Sequence, residues 1–320
     1  MIDAKNYIPA LGFGAKIYPQ NLALAAGLPH VGVIRYVDPG AGSNSNNGRR
    51  QSQAYATVAA AQSAMTADQD DVIIIAATSS TGRTTETVAV TWNKRRTHLL
   101  GNGPARLVNS RNGVNVYASN TASAFVVSAT NCSFSNVTIA AFADADVMVE
   151  ITAGNNTFNN VHFQGIANAT PAGETGARSV LITGAGENEF NNCTIGLDTV
   201  TRTVANASLE ITGSAARNIF RSCLFPIYTS SADAVFVKSD TGNAHERFLI
   251  FEDCIFNNAD TGSSTTMTIA MDLSSTGNGT VFLKDSYVKG CTDWTNTFNN
   301  LWVTMPVADT DEGGITKIGT

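Results

Sequence analysis

The sequence predicts an all-β chain: a single-stranded right-handed parallel β-helix, a solenoid with a capping helix and an irregular arm at its N-terminus. Three observations carry this. Composition is the first: of 320 residues, 43% are hydrophobic and only 14% are charged, against about 25% charged in an ordinary globular domain. Asn, Thr, Ser, Ala and Gly fill the gap, a mix that suits strands and tight turns better than long solvated helices. The second observation is a repeat. The pattern Phe134, Asn136, Val137, Ile139 returns as Phe158, Asn160, Val161, Phe163, as Phe190, Asn192, Cys193, Ile195 and as Phe220, Ser222, Cys223, Phe225. Two more copies are Phe251, Asp253, Cys254, Phe256 and Leu283, Asp285, Ser286, Val288, and successive starts lie 24, 32, 30, 31 and 32 residues apart. A near-constant period in this range marks a stacked repeat architecture. The third observation is that strands recur without helices between them, which excludes a doubly wound α/β sheet.

Residues 1–33 stand outside the repeat. Tyr7, Ile8, Leu11, Phe13, Ile17 and Tyr18 make this arm apolar and aromatic, and Pro9, Gly12, Gly14 and Pro19 break it. A disordered linker would be polar, so the arm reads as an anchor that lies against its own solenoid, a sister subunit or a larger assembly. The solenoid proper spans residues 34–295. A helix over residues 53–65, with Tyr55, Val58, Ala59, Ser63 and Met65 along one side, covers the open end of the first coil, which a solenoid must cap. Asp70 and Asp71 read as the terminator of that helix. Residues 72–76 form a continuous apolar run, as in a parallel strand buried on both faces, and residues 87–91 and 98–101 continue the stack.

Within the clear repeats, a second strand-like run precedes each copy, at residues 124–128, 147–152, 180–183, 209–212, 235–238 and 269–273. A coil therefore reads as strand, corner, strand and variable loop, and about seven coils at 4.8 Å give a stack of ~35 Å. Alternation breaks at the Asn of each copy, as it does at a corner or bulge. The first aromatic, the small Val or Cys and the last apolar residue then face inward. The slot held by Asn136, Asn160, Asn192, Ser222, Asp253 and Asp285 forms a ladder able to hydrogen-bond along the stack. Residues 296–320 leave the repeat and offer Phe298, Leu301 and Trp302 as a C-terminal cap.

The five cysteines (Cys132, Cys193, Cys223, Cys254 and Cys291) are odd in number and widely spaced. That spacing excludes a paired-thiolate zinc site and a disulfide framework. Cys193, Cys223 and Cys254 fall in the inward slot, where cysteine acts as a small hydrophobe. A net charge of −6 lacks the electrostatic footprint of a nucleic-acid binder, and Lys94, Arg95 and Arg96 read as solvated turn residues. The first residues lack the basic and apolar regions of a signal peptide. No run of about 18 apolar residues is present to span a membrane. Synthesis in a reducing cytoplasm is the expectation.

Residues 34–40, the polar loop after them, Tyr55 to Val58, Asp70 to Ile75 and His98 to Gly103 follow one another in an order that resembles the start of proteins in the pectate-lyase-like superfamily. The resemblance covers about residues 33–295 and implies the β-helix. That fold hosts lyases, hydrolases, phage tailspikes and purely structural virion proteins, so function has to be argued from a site.

The site signatures of pectinolytic members are missing. Neither the paired acids and Gly-His-Gly of polygalacturonase-like enzymes nor the Arg-x-Pro-x-x-Arg of pectate lyases is present. The histidines (His30, His98, His162 and His245) are scattered without an acid at a recurring position, and read as surface or strand-packing residues. The candidate catalytic pair is Asp253 and Asp285, which hold the same slot on successive coils, about 4.8 Å apart. Two carboxylates that hydrolyse a glycan sit roughly 5–10 Å apart. Asp144 and Asp146 share a face if their segment is extended, and Asp198 and Glu210 are less constrained. Plainer roles exist for each: Asp253 and Asp285 continue the Asn ladder, and Asp144 and Asp146 are loop residues. Three tryptophans (Trp92, Trp294 and Trp302) give a carbohydrate groove few platforms.

The resulting expectation is a non-enzymatic structural protein of a bacteriophage particle, a capsid decoration or cement protein before a tail component, with no cofactor and no metal. It is made in the host cytoplasm and resides in the virion. Its expected partners are itself, as a homotrimer packed through loops 167–178, 199–208 and 239–247, and capsid or tail proteins held by the arm. A carbohydrate-active tailspike or polysaccharide-degrading enzyme is the alternative, and a cellular surface protein is third.

Overall fold

The computed structural model describes residues 32–76, 82–102, 112–117, 121–239, 244–259, 262–273, 279–296, 300–304 and 315–318. All but the last two residues of the apolar arm, and Phe298, lie outside them. Among the described residues, three sheets of 11, 9 and 8 strands run along the stack, parallel throughout except for the last strand of the first. One coil is represented by Thr157–Asn159 in the first sheet, His162–Ile166 in the second and Arg178–Thr183 in the third. The 8-stranded third sheet counts the complete coils, one more than the sequence suggested. A coil also holds three strands rather than two. The repeat motif itself contains two of them around a corner, and the apolar run before it is the third. The topology is that of a pectate-lyase-like parallel β-helix.

The corner explains the polar slot. Asn136, Asn160, Asn192, Ser222, Asp253 and Asp285 all adopt left-handed backbone, with φ of 57°, 52°, 52°, 50°, 54° and 48°. Asn and Asp reach that region more readily than other non-glycine residues, because their short polar side chains bond locally. The chain can therefore turn sharply from the first sheet to the second at the same height in each coil. Lateral bonds add to this: Asn160 Nδ2 donates to Asn136 Oδ1 at 3.2 Å, and Ser222 Oγ donates to Asp253 Oδ2 at 2.9 Å.

Inside, the predicted inward residues form continuous columns. Phe134, Phe158, Phe190, Phe220 and Phe251 stack with ring centroids 5.0, 4.7, 4.4 and 5.0 Å apart. Cys193, Cys223 and Cys254 are buried beside them. Each thiol donates to a carbonyl of the preceding coil: Phe158 O at 3.3 Å, Phe190 O at 3.4 Å and Phe220 O at 3.5 Å. A second Asn ladder lies where the sequence suggested only turns. Asn156, Asn188 and Asn218 are fully buried. Their Oδ1 atoms accept from the backbone N–H of Cys132, Asn156 and Asn188 at 2.8, 3.0 and 3.0 Å. These bonds satisfy donors that a dry corner would otherwise leave unpaired.

The capping helix is present but short, Val58–Ser63. Tyr55 does not join it and instead bridges Val37, and the buried helix residues are Val58, Ala61 and Gln62. Thr57 fixes its start by accepting from Ala60 N at 3.2 Å. The Glu86 carboxylate, at the end of the second strand after the helix, accepts from Val58 N at 2.7 Å and Ala59 N at 3.3 Å. Its other end is held by Lys94, whose Nζ donates to Ser63 O and Met65 O at 2.6 and 2.5 Å. Lys94 is thus a helix clamp rather than a solvated residue, and Arg95 and Arg96 pair with Asp68 and Asp70. Nor do Asp70 and Asp71 end the helix. Asp71 is buried and its carboxylate accepts from Val33 N at 2.7 Å and Thr66 N at 2.8 Å, tying the first strand to the turn after the helix.

At the other end the first sheet continues. Leu301–Thr304 adds a parallel strand, and Ile315–Ile318 closes it with an antiparallel one. Leu301 and Val303 enter the core. Trp302, expected as part of a cap, alternates to the outer face of the sheet.

Candidate functional site: the outer face of the third sheet and its flank

Regularity breaks where the second sheet hands the chain to the third. A bulge falls between Phe163 and Gly165, a one-turn helix occupies Ala169–Ala172, and an extra strand, Leu197–Arg202, pairs only with Leu224–Thr229. Departures from a repeat are where function or strain is expected. Loops 167–178 and 199–208 do lie together, as the sequence suggested, and they contact each other. Ile166, Ala172 and Ala177 make a small satellite core with Val200, and Asn206 Nδ2 donates to Ala172 O at 3.3 Å. Part of loop 239–247 lies outside the described residues.

Arg202 is the least expected residue of this flank. It is 1% exposed, and its guanidinium donates to Ser208 Oγ at 3.0 Å and to Ser179 Oγ and Asn206 Oδ1 at 3.5 Å. Burial, then the nearby Arg178 charge, lowers its pKa to about 9. Gly196, at φ +117°, lets the extra strand pass close by: a Cβ there would sit 2.5 Å from Pro226 O and 3.4 Å from Arg202 Nη2.

The outer face of the third sheet carries a charged rung of partly buried residues, Glu150, Glu210, Lys238 and Asp272, with Leu181 between the first two. Arg178 Nε donates to Glu210 Oε2 at 2.6 Å, Ser123 Oγ to Glu150 Oε2 at 2.6 Å and Asn296 Nδ2 to Asp272 Oδ1 at 2.8 Å. Beside this rung, Asp144 and Asp146 meet Glu174 from the inserted loop. Burial raises the Glu174 pKa, and the charges of Asp144 and Asp146 and a hydrogen bond with Asp146 raise it further. Carboxyl groups gathered in this way, one of them raised by its neighbours, are the kind of cluster from which glycan hydrolysis draws an acid and a base. Among the described residues, no group of three or more His, Cys, Asp or Glu is arranged to hold a metal ion.

The candidate residues therefore separate. Asp144 and Asp146 come together with Glu174, a residue that sequence reasoning passed over. Its one signal was its place in a loop longer than the turns of neighbouring coils. Glu210 is committed to Arg178, and Asp198 lies on the extra strand, away from it. Asp253 and Asp285 occupy successive corners and are both exposed. Asp253 accepts from Ser222, and the Asp285 backbone N–H donates to Thr304 Oγ1 at 2.8 Å. A shallow groove of about 370 Å³ runs along that corner column, lined by Asn160, Asn192, Ser222, Leu224, Asp253 and Ile255 among others.

His98, His162 and His245 are buried, which corrects the surface option for these three; His30 lies outside the described residues. His98 has an acid at hand, with Nε2 3.6 Å from Asp70 Oδ1. His162 Nε2 lies 3.1 Å from Gly196 O, and His245 Nδ1 lies 2.6 Å from Ser239 Oγ.

No family model and no curated protein matches the chain. Among solved structures it is similar to Geobacillus virus E2 ORF18, at 14% identity and a TM-score of 0.47, over 89% of this chain and 63% of that one. It therefore spans less than two thirds of that protein's length. It is also similar to the GH136 lacto-N-biosidase from Eubacterium ramulus, at 8% identity and a TM-score of 0.29, over 89% of this chain and 69% of that one.

Proposed function

We propose that the chain is a structural protein of a bacteriophage particle, a capsid decoration or cement protein before a tail component. The observation that supports this reading is how the repeat spends its polar residues. The slot from Asn136 to Asp285 serves a left-handed corner, and Asn156, Asn188 and Asn218 serve buried backbone donors. Both ladders stiffen a stack, and the groove along the corner column is a by-product of the turn that Asn160, Asn192, Ser222 and Asp253 make. A rigid rod preceded by an apolar arm of about thirty residues suits attachment to a surface that the arm recognises, since burial of such a segment contributes about 25 cal/mol per Å².

One observation favours a second reading, a polysaccharide-degrading activity. It is the meeting of Glu174 with Asp144 and Asp146 on one flank, three carboxyl groups in one place, where Asp253 and Asp285 are two exposed corner residues. Incubation of the purified protein with acidic and neutral polysaccharides separates the two. The structural reading expects no new reducing ends and no unsaturated uronates. Release that disappears in Glu174→Gln would replace it with the enzymatic one, and release lost in Asp253→Asn would assign the corner pair.

A further inference from the structure

The outer face of the first sheet changes character along the stack. One rung ladder runs Ser133, Thr157, Glu189, Ile219, Ile250, Phe282, Trp302, and the next position is held by Lys317. It is polar until Glu189 and then apolar for four coils. Phe282 is 41% exposed, while Ile219, Ile250 and Trp302 are partly buried. The neighbouring ladder runs Asn191, Arg221, Glu252, Lys284. Its charges alternate and pair along the stack: Arg221 reaches Glu189 and Glu252 at 3.4 Å each, and Lys284 bonds Glu252. A groove of about 450 Å³ lies between the two ladders, lined by Ile250, Glu252, Phe282, Lys284, Trp302 and Thr304 among others.

Four apolar rungs on a flat outer face are costly to leave in water. Their order says what covers them. Read from Ile219 to Trp302, the first ladder is apolar throughout, with the two smaller side chains at one end and the two larger at the other, so its reverse sets small against large. A twofold axis parallel to the strands, passing between Phe248–Glu252 and Thr280–Lys284, reverses the stack and keeps each ladder facing itself. Ile250 then faces Phe282 of the second copy, and Ile219 faces Trp302. The same axis places Glu252 opposite Lys284 and Arg221 opposite Thr304 in the second ladder. Each apolar rung meets one of different size, and no like charges oppose one another. A twofold interface must be self-complementary in this sense, and two ladders satisfy it about one axis.

We propose that the chain forms an antiparallel twofold dimer through the outer face of the first sheet at its C-terminal coils. This does not depend on the particle assignment, and it puts self-association on a different face and in a different symmetry from the loop-packed trimer suggested by the sequence. Parallel copies about a threefold axis would bring each rung against its own kind, with Glu252 meeting Glu252 and Lys284 meeting Lys284.

Light scattering of the full chain tests the mass, and crosslinking tests the geometry. The expected mass is twice 33.6 kDa. Phe282→Lys, at an exposed position that folding tolerates, should weaken the dimer roughly 30-fold or more, as loss of a central anchor does. In a Cys291→Ser background, Ile250→Cys and Phe282→Cys chains should crosslink readily when mixed and poorly when each is alone. Glu252→Lys should weaken association, and adding Lys284→Glu should restore it. A mass of one chain or of three overturns the proposal, as do crosslinks that form better between identical variants than between mixed ones. A dimer unaffected by Phe282→Lys would place the interface elsewhere.

Discussion

Individual side chains in this protein are explained by what surrounds them, and the cysteines illustrate it. Cys193, Cys223 and Cys254 sit in a column that the last clear coil completes with Ser286, whose Oγ donates to Phe251 O at 3.4 Å and Lys284 O at 3.0 Å. A hydroxyl therefore finds a carbonyl partner in this slot. Cys223→Ser should cost only about 1 kcal/mol in a urea melt, less than the penalty an unpaired hydroxyl would carry. Burial raises the thiol pKa of Cys223, and contact with Cys223, then burial, raises that of Cys254; Cys193, Cys223 and Cys254 are all buried, so iodoacetamide should modify them slowly in the native state. Cys291, partly exposed though burial pushes its thiol to about 11, should react first. Fast labelling of Cys193, Cys223 and Cys254 without denaturant would reverse the assigned inward direction.

The buried histidines make a second residue-scale prediction. Burial lowers His162 and His245 from 6.5 to about 4; Arg83 also lowers His162, while the Gly196 carbonyl and Asp198 raise it. A folded pKa below the unfolded one means that the unfolded chain binds protons first. Stability is thus intact above about pH 6.5 and falls as pH drops toward 4, by roughly 3 kcal/mol for each histidine at the lower end. The urea midpoint should fall between pH 7 and pH 4.5, and His162→Gln should flatten that dependence. A midpoint that holds steady would mean that His162 and His245 are solvated.

At the scale of elements, the decisive feature is the left-handed corner, because it turns a sequence pattern into a backbone requirement. Asn192→Gly should leave stability within about 0.5 kcal/mol, whereas Asn192→Val should cost roughly 1–2 kcal/mol, since a β-branched residue resists positive φ. Equal effects of the two in thermal melts would return the slot to a side-chain role. The corner was legible in the sequence because six copies keep Asn, Asp or Ser between two apolar positions. Less was legible elsewhere, for physical reasons. Asn156, Asn188 and Asn218 look like turn residues, since Asn marks both exposed turns and buried donor satisfaction. The helix is shorter than the Ala-rich periodicity of residues 53–65 suggests, because Thr57 caps it and the chain before the cap is extended. Glu174 lies in an inserted loop and Arg202 at the end of the extra strand, where no repeat fixes which way a side chain points. That is also why the acid cluster emerged only when loop 167–178 was folded against Asp144 and Asp146.

For the whole molecule, the three sheets give a stack of eight coils, and the proposed function uses the apolar segment before it as the point of attachment. Neither depends on chemistry at a single residue, and the account stands on that division of labour. The most direct measurement of the proposed function is quantitative mass spectrometry of the particles it assigns this chain to, compared with particles assembled with a variant lacking residues 1–30. The prediction is that the full chain is present in a fixed ratio to the major capsid protein, and that the truncated chain folds with the same melting temperature but is missing from the particles. Particles that lack the full chain, or that carry the truncated chain at an unchanged ratio, would contradict it.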